Sequence, residues 1–155
     1  MDLYRLVVII GAIILPVSVS AQQTPVENII IRYEDVSGAR SFVAQGFRMK
    51  LARALIERTN LASIAQDVDE LAVLRMEDAA PEARLHFVAE LNEVLKGYDY
   101  YGRHPSKNGE VDVYVQHPQS GLVKELVIYN SDIYSLTSLH GTFTVAELQK
   151  LDNAD

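Results

Sequence analysis

The chain reads as α+β: an antiparallel β-meander with helices packed on one face, in a single two-layer domain. Three observations predict this. Apolar residues recur at helical spacing up to Gly97. Beyond Gly97 the period drops to two, with Val111, Val113 and Val115 alternating with Asp112, Tyr114 and Gln116. Turn signals then follow at short intervals, at Asn108-Gly109, Pro118 to Gly121 and Asn130 to Asp132. Helices early and turn-linked strands late are the pattern of helices set against one face of an antiparallel sheet.

At the amino terminus, Met1 to Arg5 form a short head with one basic side chain, Arg5. An uncharged, mostly apolar run from Leu6 to Val19 follows, and small residues close it at Val19-Ser20-Ala21. This is the three-part pattern of a secretory signal peptide, with cleavage expected between Ala21 and Gln22. The run holds 14 residues and is interrupted by Pro16. A spanning helix needs roughly 20 apolar residues. The expected mature chain, residues 22–155, has the length of one α+β domain, with its core between about 26 and 151.

Gln22 to Val26 reads as a mobile leader. Glu27 to Glu34 holds Ile29, Ile30 and Ile31, too short a run for periodicity to assign, and β-branching inclines it to a strand. Val36-Ser37-Gly38 is a turn, and Arg40 to Gln45 a short strand. Gly46 to Arg58 carries Phe47, Leu51, Ala54 and Leu55 at helical spacing. That predicts a helix with this stripe inward and Lys50, Arg53 and Arg58 toward solvent. Leu71 to Met76 is a strand. Pro81 opens the clearest helix, with Glu82 at its positive end, a stripe of Leu85, Val88, Leu91 and Leu95, and Gly97 as its terminal cap.

A two-residue turn at Asn108-Gly109 would set Lys107 opposite Glu110, Arg103 opposite Tyr114 and Tyr101 opposite Gln116. Leu122 to Tyr129 and Ile133 to His140 are the next strands. Thr144-Val145-Ala146-Glu147 is a capping box that opens a last helix through Leu148 and Leu151.

The chain has no cysteine. That excludes disulfides, a lipid-modified amino-terminal Cys, thiolate catalysis and Cys-based zinc or iron–sulfur sites. A net charge of −7 is a poor match for nucleic acid. The charge is uneven. Arg40, Arg48, Lys50, Arg53 and Arg58 lie between Ala39 and Asn60 against a single acid, Glu57, whereas acids dominate from Asp67 to Asp99. Solvated helix faces would give this pattern. The functional reading is a basic patch around Arg48, Lys50 and Arg53 that meets an acidic partner or an anionic envelope surface.

Catalytic signals are sparse. No HExxH, GxSxG, P-loop or GxGxxG motif occurs. In the expected hairpin His104 and His117 share a face but lie roughly 13 Å apart at strand rise, too far for one metal ion. His86 falls on a helix surface, and His140 stands where a strand ends. No cofactor and no metal site is expected, and the chain is read as non-catalytic. Tyr98 to Arg103 is the densest aromatic stretch. Tyr101 with Arg103 is the candidate partner-binding pair, since Tyr and Arg are enriched in binding hot spots. Tyr is also an ordinary strand residue.

Three stretches carry a resemblance: Tyr33-Glu34-Asp35-Val36-Ser37-Gly38-Ala39, Lys124 to Tyr129, and Ser135 to Thr144. They resemble domain-of-unknown-function family 4252, small exported proteins of Bacteroidota, and the resemblance covers about Val26 to Leu151. Many relatives carry a lipobox cysteine. This chain has none, so the resemblance implies a soluble periplasmic or secreted protein and not a lipoprotein. The family brings no established activity. The expectation is an exported, non-catalytic interaction or regulatory module of the bacterial cell envelope. Its partner would be an envelope protein, with no nucleic acid and no transmembrane span in the mature chain. The alternative is a binder of a small or extended ligand in a groove between helices and sheet. An enzyme of unrecognised type is third.

Overall fold

Thr24 starts the first element. Its Oγ1 accepts the Glu27 backbone N–H at 3.2 Å, and the Glu27 carboxylate accepts the Thr24 N–H at 2.9 Å. This capping box and Pro25 at the first helical position nucleate α1, Pro25–Tyr33. The run of isoleucines is therefore a helix and not a strand, and the leader becomes ordered by Thr24. Val26, Ile29, Ile30 and Tyr33 are buried along one side of α1. The computed structural model describes residues 23–58 and 61–152; the expected signal peptide, with its cleavage point at Ala21 and Gln22, lies outside them.

The remaining elements are β1 (Arg40–Gln45), α2 (Phe47–Ile56), a 3-10 helix (Ala62–Asp67), β2 (Val68–Arg75), α3 (Pro81–Leu95), β3 (Tyr98–Ser106), β4 (Gly109–Gln116), β5 (Leu122–Asn130), β6 (Ser135–Thr144) and α4 (Val145–Asp152). Among the described residues the strands form one six-stranded sheet in the order β1-β2-β6-β5-β4-β3, antiparallel throughout. The fold is α+β. The expected meander β3-β4-β5-β6 is intact, and the antiparallel pair β1-β2, whose connection holds α2 and the 3-10 helix, joins it by pairing β2 with β6.

The layering differs from the expectation of helices on one face. Alternate residues of the central strands feed two separate apolar clusters. Leu74, Val127, Tyr129 and Leu136 join α1 and α3, with Phe87 at the centre. Val68, Leu126, Leu139 and Phe143 join α2, the 3-10 helix and α4. Helices therefore cover both faces, in three layers. The sequence reading assumed one wet face, but Leu126-Val127-Ile128-Tyr129 is apolar without interruption, which is what a strand buried on both sides looks like.

Two helices form where expected; α2 turns a different face inward, whereas α3 keeps Val88, Leu91 and Leu95 of the expected stripe inward and replaces Leu85 with Phe87. In α2 the buried residues are Met49, Ala52 and Ile56, while Phe47, Leu51 and Leu55 stay 76%, 66% and 65% exposed. In α3 Phe87, Leu91 and Leu95 are buried, and Leu85 is 71% exposed. Each helix carries more apolar residues than one stripe can hold, so periodicity alone could not choose the stripe.

The hairpin is also shifted. Ser106 pairs with Gly109, so Lys107-Asn108 make the turn and Arg103 faces Asp112. Gly109 has a φ of 102°, a backbone conformation that favours glycine, and the Asp132 carboxylate lies against it. The register shifts between Tyr100 and Gly102, a bulge whose extra residue is Tyr101. The capping box at Thr144 is present: its Oγ1 accepts the Glu147 N–H at 3.2 Å, and Glu147 Oε2 accepts the Thr144 N–H at 2.7 Å.

Candidate functional site

The basic segment expected to meet a partner maps onto α2, and the helix divides its residues between two jobs. Arg53 is partly buried and donates from Nε and Nη2 to the Val68 carbonyl oxygen at 3.1 and 2.8 Å. It ties α2 to the start of β2 and is a structural residue. Arg48 and Lys50 are exposed. At roughly 100° per residue, they fall on opposite margins of the Phe47-Leu51-Leu55 stripe. The Lys50 ammonium lies 5.9 Å from the centre of the Phe47 ring. Arg58, just past the helix, is exposed as well. The outer side of α2 is thus an apolar ridge edged with cations. Phe42, half exposed on the edge strand β1, alternates with buried Ala44 and so lies on the same side of the sheet as α2. Sequence reasoning found the cations and missed the ridge, because it assigned the ridge to the core.

Tyr101 and Arg103 are not brought together. The bulge turns Tyr101 toward the cluster under α2, where its ring stacks on His104 at 6.5 Å between centroids. Arg103 lies on the opposite side and grips Asp112 through Nε at 2.9 Å and Nη2 at 3.3 Å. Tyr100 donates its hydroxyl to the same carboxylate at 3.0 Å. The Arg103 guanidinium, the larger influence, and the Tyr100 hydroxyl hold the Asp112 carboxyl below the usual range. These contacts fix the outer strand β3 to β4. His117 is exposed and its Nδ1 lies 3.0 Å from Asp99. His86 is exposed on α3, as expected.

A second cluster lies beneath α1 and was not anticipated. Glu125 is fully buried, and His140, expected at a strand end, stands within β6 beside it. His140 Nε2 is 3.0 Å from Glu27 Oε1 and 3.2 Å from Glu125 Oε2. With one ring nitrogen placed between two carboxylates, the three groups form a buried ion cluster. Tyr98 donates its hydroxyl to the other Glu125 oxygen at 2.7 Å. Burial disfavours the imidazolium, but the two carboxylates outweigh it and push His140 up to about 10. Burial also disfavours the Glu27 carboxylate, yet His140 and the Thr24 N–H together hold its pKa below the ordinary value. Burial and the Glu125 charge push the Tyr98 phenol up. The register shifts between Val123 and Glu125, where Lys124 lies opposite both Gly141 and Thr142 of β6, and just past this bulge Glu125 pairs with His140 on the α1 side. The signal available in the sequence was a lone acid within an apolar strand, Val123-Lys124-Glu125-Leu126-Val127.

Beside this cluster a groove of about 200 Å³ runs between α1 and the β1-β2 edge, lined by Glu27, Ile30, Val43, Gln45, Glu70 and Ala72 among others. Burial and the neighbouring Glu27 charge raise the Glu70 pKa, against a hydrogen bond from Gln45. Among the described residues no set of His, Asp and Glu side chains is arranged to hold a metal ion. No helix among them is long and apolar enough to cross a membrane.

Of the comparisons with known proteins, one gives a match. The model of a family described as a domain of unknown function (DUF4252) matches residues 35–151. No curated protein and no solved structure matches the chain.

Proposed function

The chain belongs to the DUF4252 family, and from that premise we propose that it is an exported, non-catalytic docking module of the bacterial cell envelope that works through the outer face of α2. The observation that carries the reading is the ridge of Phe47, Leu51 and Leu55, each about two-thirds or more exposed and edged by Arg48 and Lys50. Three large apolar side chains in one exposed row are costly to leave in water and mark an interaction site. The charged groups inside the fold support the non-catalytic half of the reading. His140, Glu27, Glu125 and Tyr98 are turned toward one another, and Glu125 is closed off from solvent. Export rests on the Leu6 to Val19 run and the small residues before Gln22.

A photo-crosslinking residue at Leu51 is expected to give a crosslinked product in the native envelope, and one at His86 on α3 is expected to give none. Equal labelling from both positions, or none from Leu51, overturns the docking face. The groove between α1 and β2 favours a second reading, a site for a small ligand bearing a cationic group, because Glu27 and Glu70 both line it. Glu70→Gln would then abolish ligand binding and leave crosslinking from Leu51 intact.

A further inference from the structure

We infer that the α2 face docks onto an anionic lipid surface, with Phe47, Leu51 and Leu55 entering the headgroup–acyl boundary and Arg48, Lys50 and Arg58 lying over the headgroups. This rests on the docking reading above and names its partner.

Charge excludes one occupant first. In a symmetric pairing of two copies, this face would meet itself. Arg48, Lys50 and Arg58 of each copy would then confront the same cations of the other. Like charges brought together in this way oppose association. The occupant is therefore anionic. The rest of the molecule reinforces this. The chain carries a net charge of −7, yet the outer side of α2 presents Arg48, Lys50 and Arg58 with a single acid, Glu57, nearby in the sequence. A negative surface repels most of the protein and admits it in one orientation, α2 first.

The shape of the face chooses between a membrane and an acidic protein. A stable protein interface takes roughly 800 Å² from each partner, spread over about 20 to 30 residues. The α2 face offers a narrow convex ridge of three side chains and the nearby Phe42. Its polar neighbours are long flexible cations, which suit a fluid array of phosphates better than a fixed pattern of acceptors. A helix lying in a membrane interface has this same makeup, with aromatic and leucine side chains on one face and Lys and Arg at its margins. The α2 axis has a second set of apolar residues, Met49, Ala52 and Ile56, that holds it to the sheet. The helix can thus enter the interface already folded, without the cost of ordering a free peptide.

The chain has no tryptophan, so a single one can report locally. Phe47→Trp in the full chain is mixed with phosphatidylglycerol–phosphatidylcholine vesicles. Its emission is expected to shift to the blue and to be quenched by bromine-labelled acyl chains. Pure phosphatidylcholine vesicles should give little shift. Leu85→Trp on α3, at an equally exposed position, should give none, which separates α2 from any contribution of the apolar amino-terminal segment. Adding Arg48→Glu and Lys50→Glu should lower the vesicle partition at least roughly tenfold. Circular dichroism establishes that each variant is folded. An unshifted Phe47→Trp emission, an equal shift with neutral vesicles, or an equal shift at Leu85→Trp overturns the inference. A shift with a soluble acidic polypeptide but not with vesicles also overturns it, in favour of a protein occupant. If Leu51 crosslinks in the envelope while the vesicles fail, the docking face stands and only the lipid partner falls.

Discussion

His140 sits at the meeting point of two buried carboxylates that come from opposite ends of the chain, Glu27 on α1 and Glu125 on β5, and holds a positive charge between them. Removing one member of such a cluster leaves buried charge without compensation, at a cost of about 3–5 kcal/mol. His140→Ala is therefore expected to lower the urea-unfolding free energy by about that amount. The pH dependence follows from the direction of each shift. His140 has a folded pKa of about 10 against an ordinary 6.5. Its contribution is complete below 6.5 and is lost as pH rises toward 10. Glu27 lies below its ordinary 4.5, so its contribution is complete above that value and is lost as pH falls through the folded pKa. The difference in melting temperature between wild type and His140→Ala should be largest between about pH 4.5 and 6.5 and should narrow on both sides. A difference that stays constant from pH 6 to about 10 would show that His140 packs without titrating.

At the scale of the element, α1 shows how a few polar atoms decide a structure that periodicity leaves open. Three successive isoleucines suit a strand. Thr24, Pro25 and Glu27 ahead of them specify a helix start, and the box they form is closed by bonds of 2.9 and 3.2 Å. Thr24→Ala should lower stability by about 1 kcal/mol and speed hydrogen exchange at Asn28 and Ile29 before that of the sheet. Unchanged exchange there would mean that burial of Val26, Ile29 and Ile30 alone holds the helix. The same box was legible at Thr144 because polar residues follow it. At Thr24 it was hidden because Gln22 to Val26, which contains it, reads as a mobile leader. Strand positions were legible from period two and turn residues. The bulges at Tyr101 and opposite Lys124 were not, because an extra residue leaves no mark in the alternation until the partner strand is known. Those two bulges decide that Tyr101 and Arg103 part company and that Glu125 turns under α1. The cations of α2 were legible as a cluster. Which of them is structural depended on the Val68 carbonyl reaching Arg53, a contact between elements 15 residues apart.

At the scale of the whole molecule, the sheet is a shared wall. Leu126 faces one apolar cluster and Val127 the other, and Leu136 and Leu139 divide in the same way on β6. Neither cluster can be lost without stripping one side of the central strands, and the ladder that joins β2, β6 and β5 belongs to both. The two faces should therefore unfold as one unit. Phe87 sits at the centre of one cluster and Phe143 in the other, and both are fully buried. Phe87→Ala and Phe143→Ala are each expected to cost about 3–5 kcal/mol. In each variant every probe should report one transition. The near-ultraviolet signal of Tyr33 and Tyr129, which pack near Phe87 at ring distances of 5.5 and 6.2 Å, is one such probe. The exchange of α2 and α4 amides on the far face is another. Coincident midpoints from the two faces would establish one cooperative unit. If Phe87→Ala melted the tyrosine signal while α2 and α4 stayed protected, the sheet would be insulating the faces from each other. The outer face of α2 would then keep its shape through a loss of half the core.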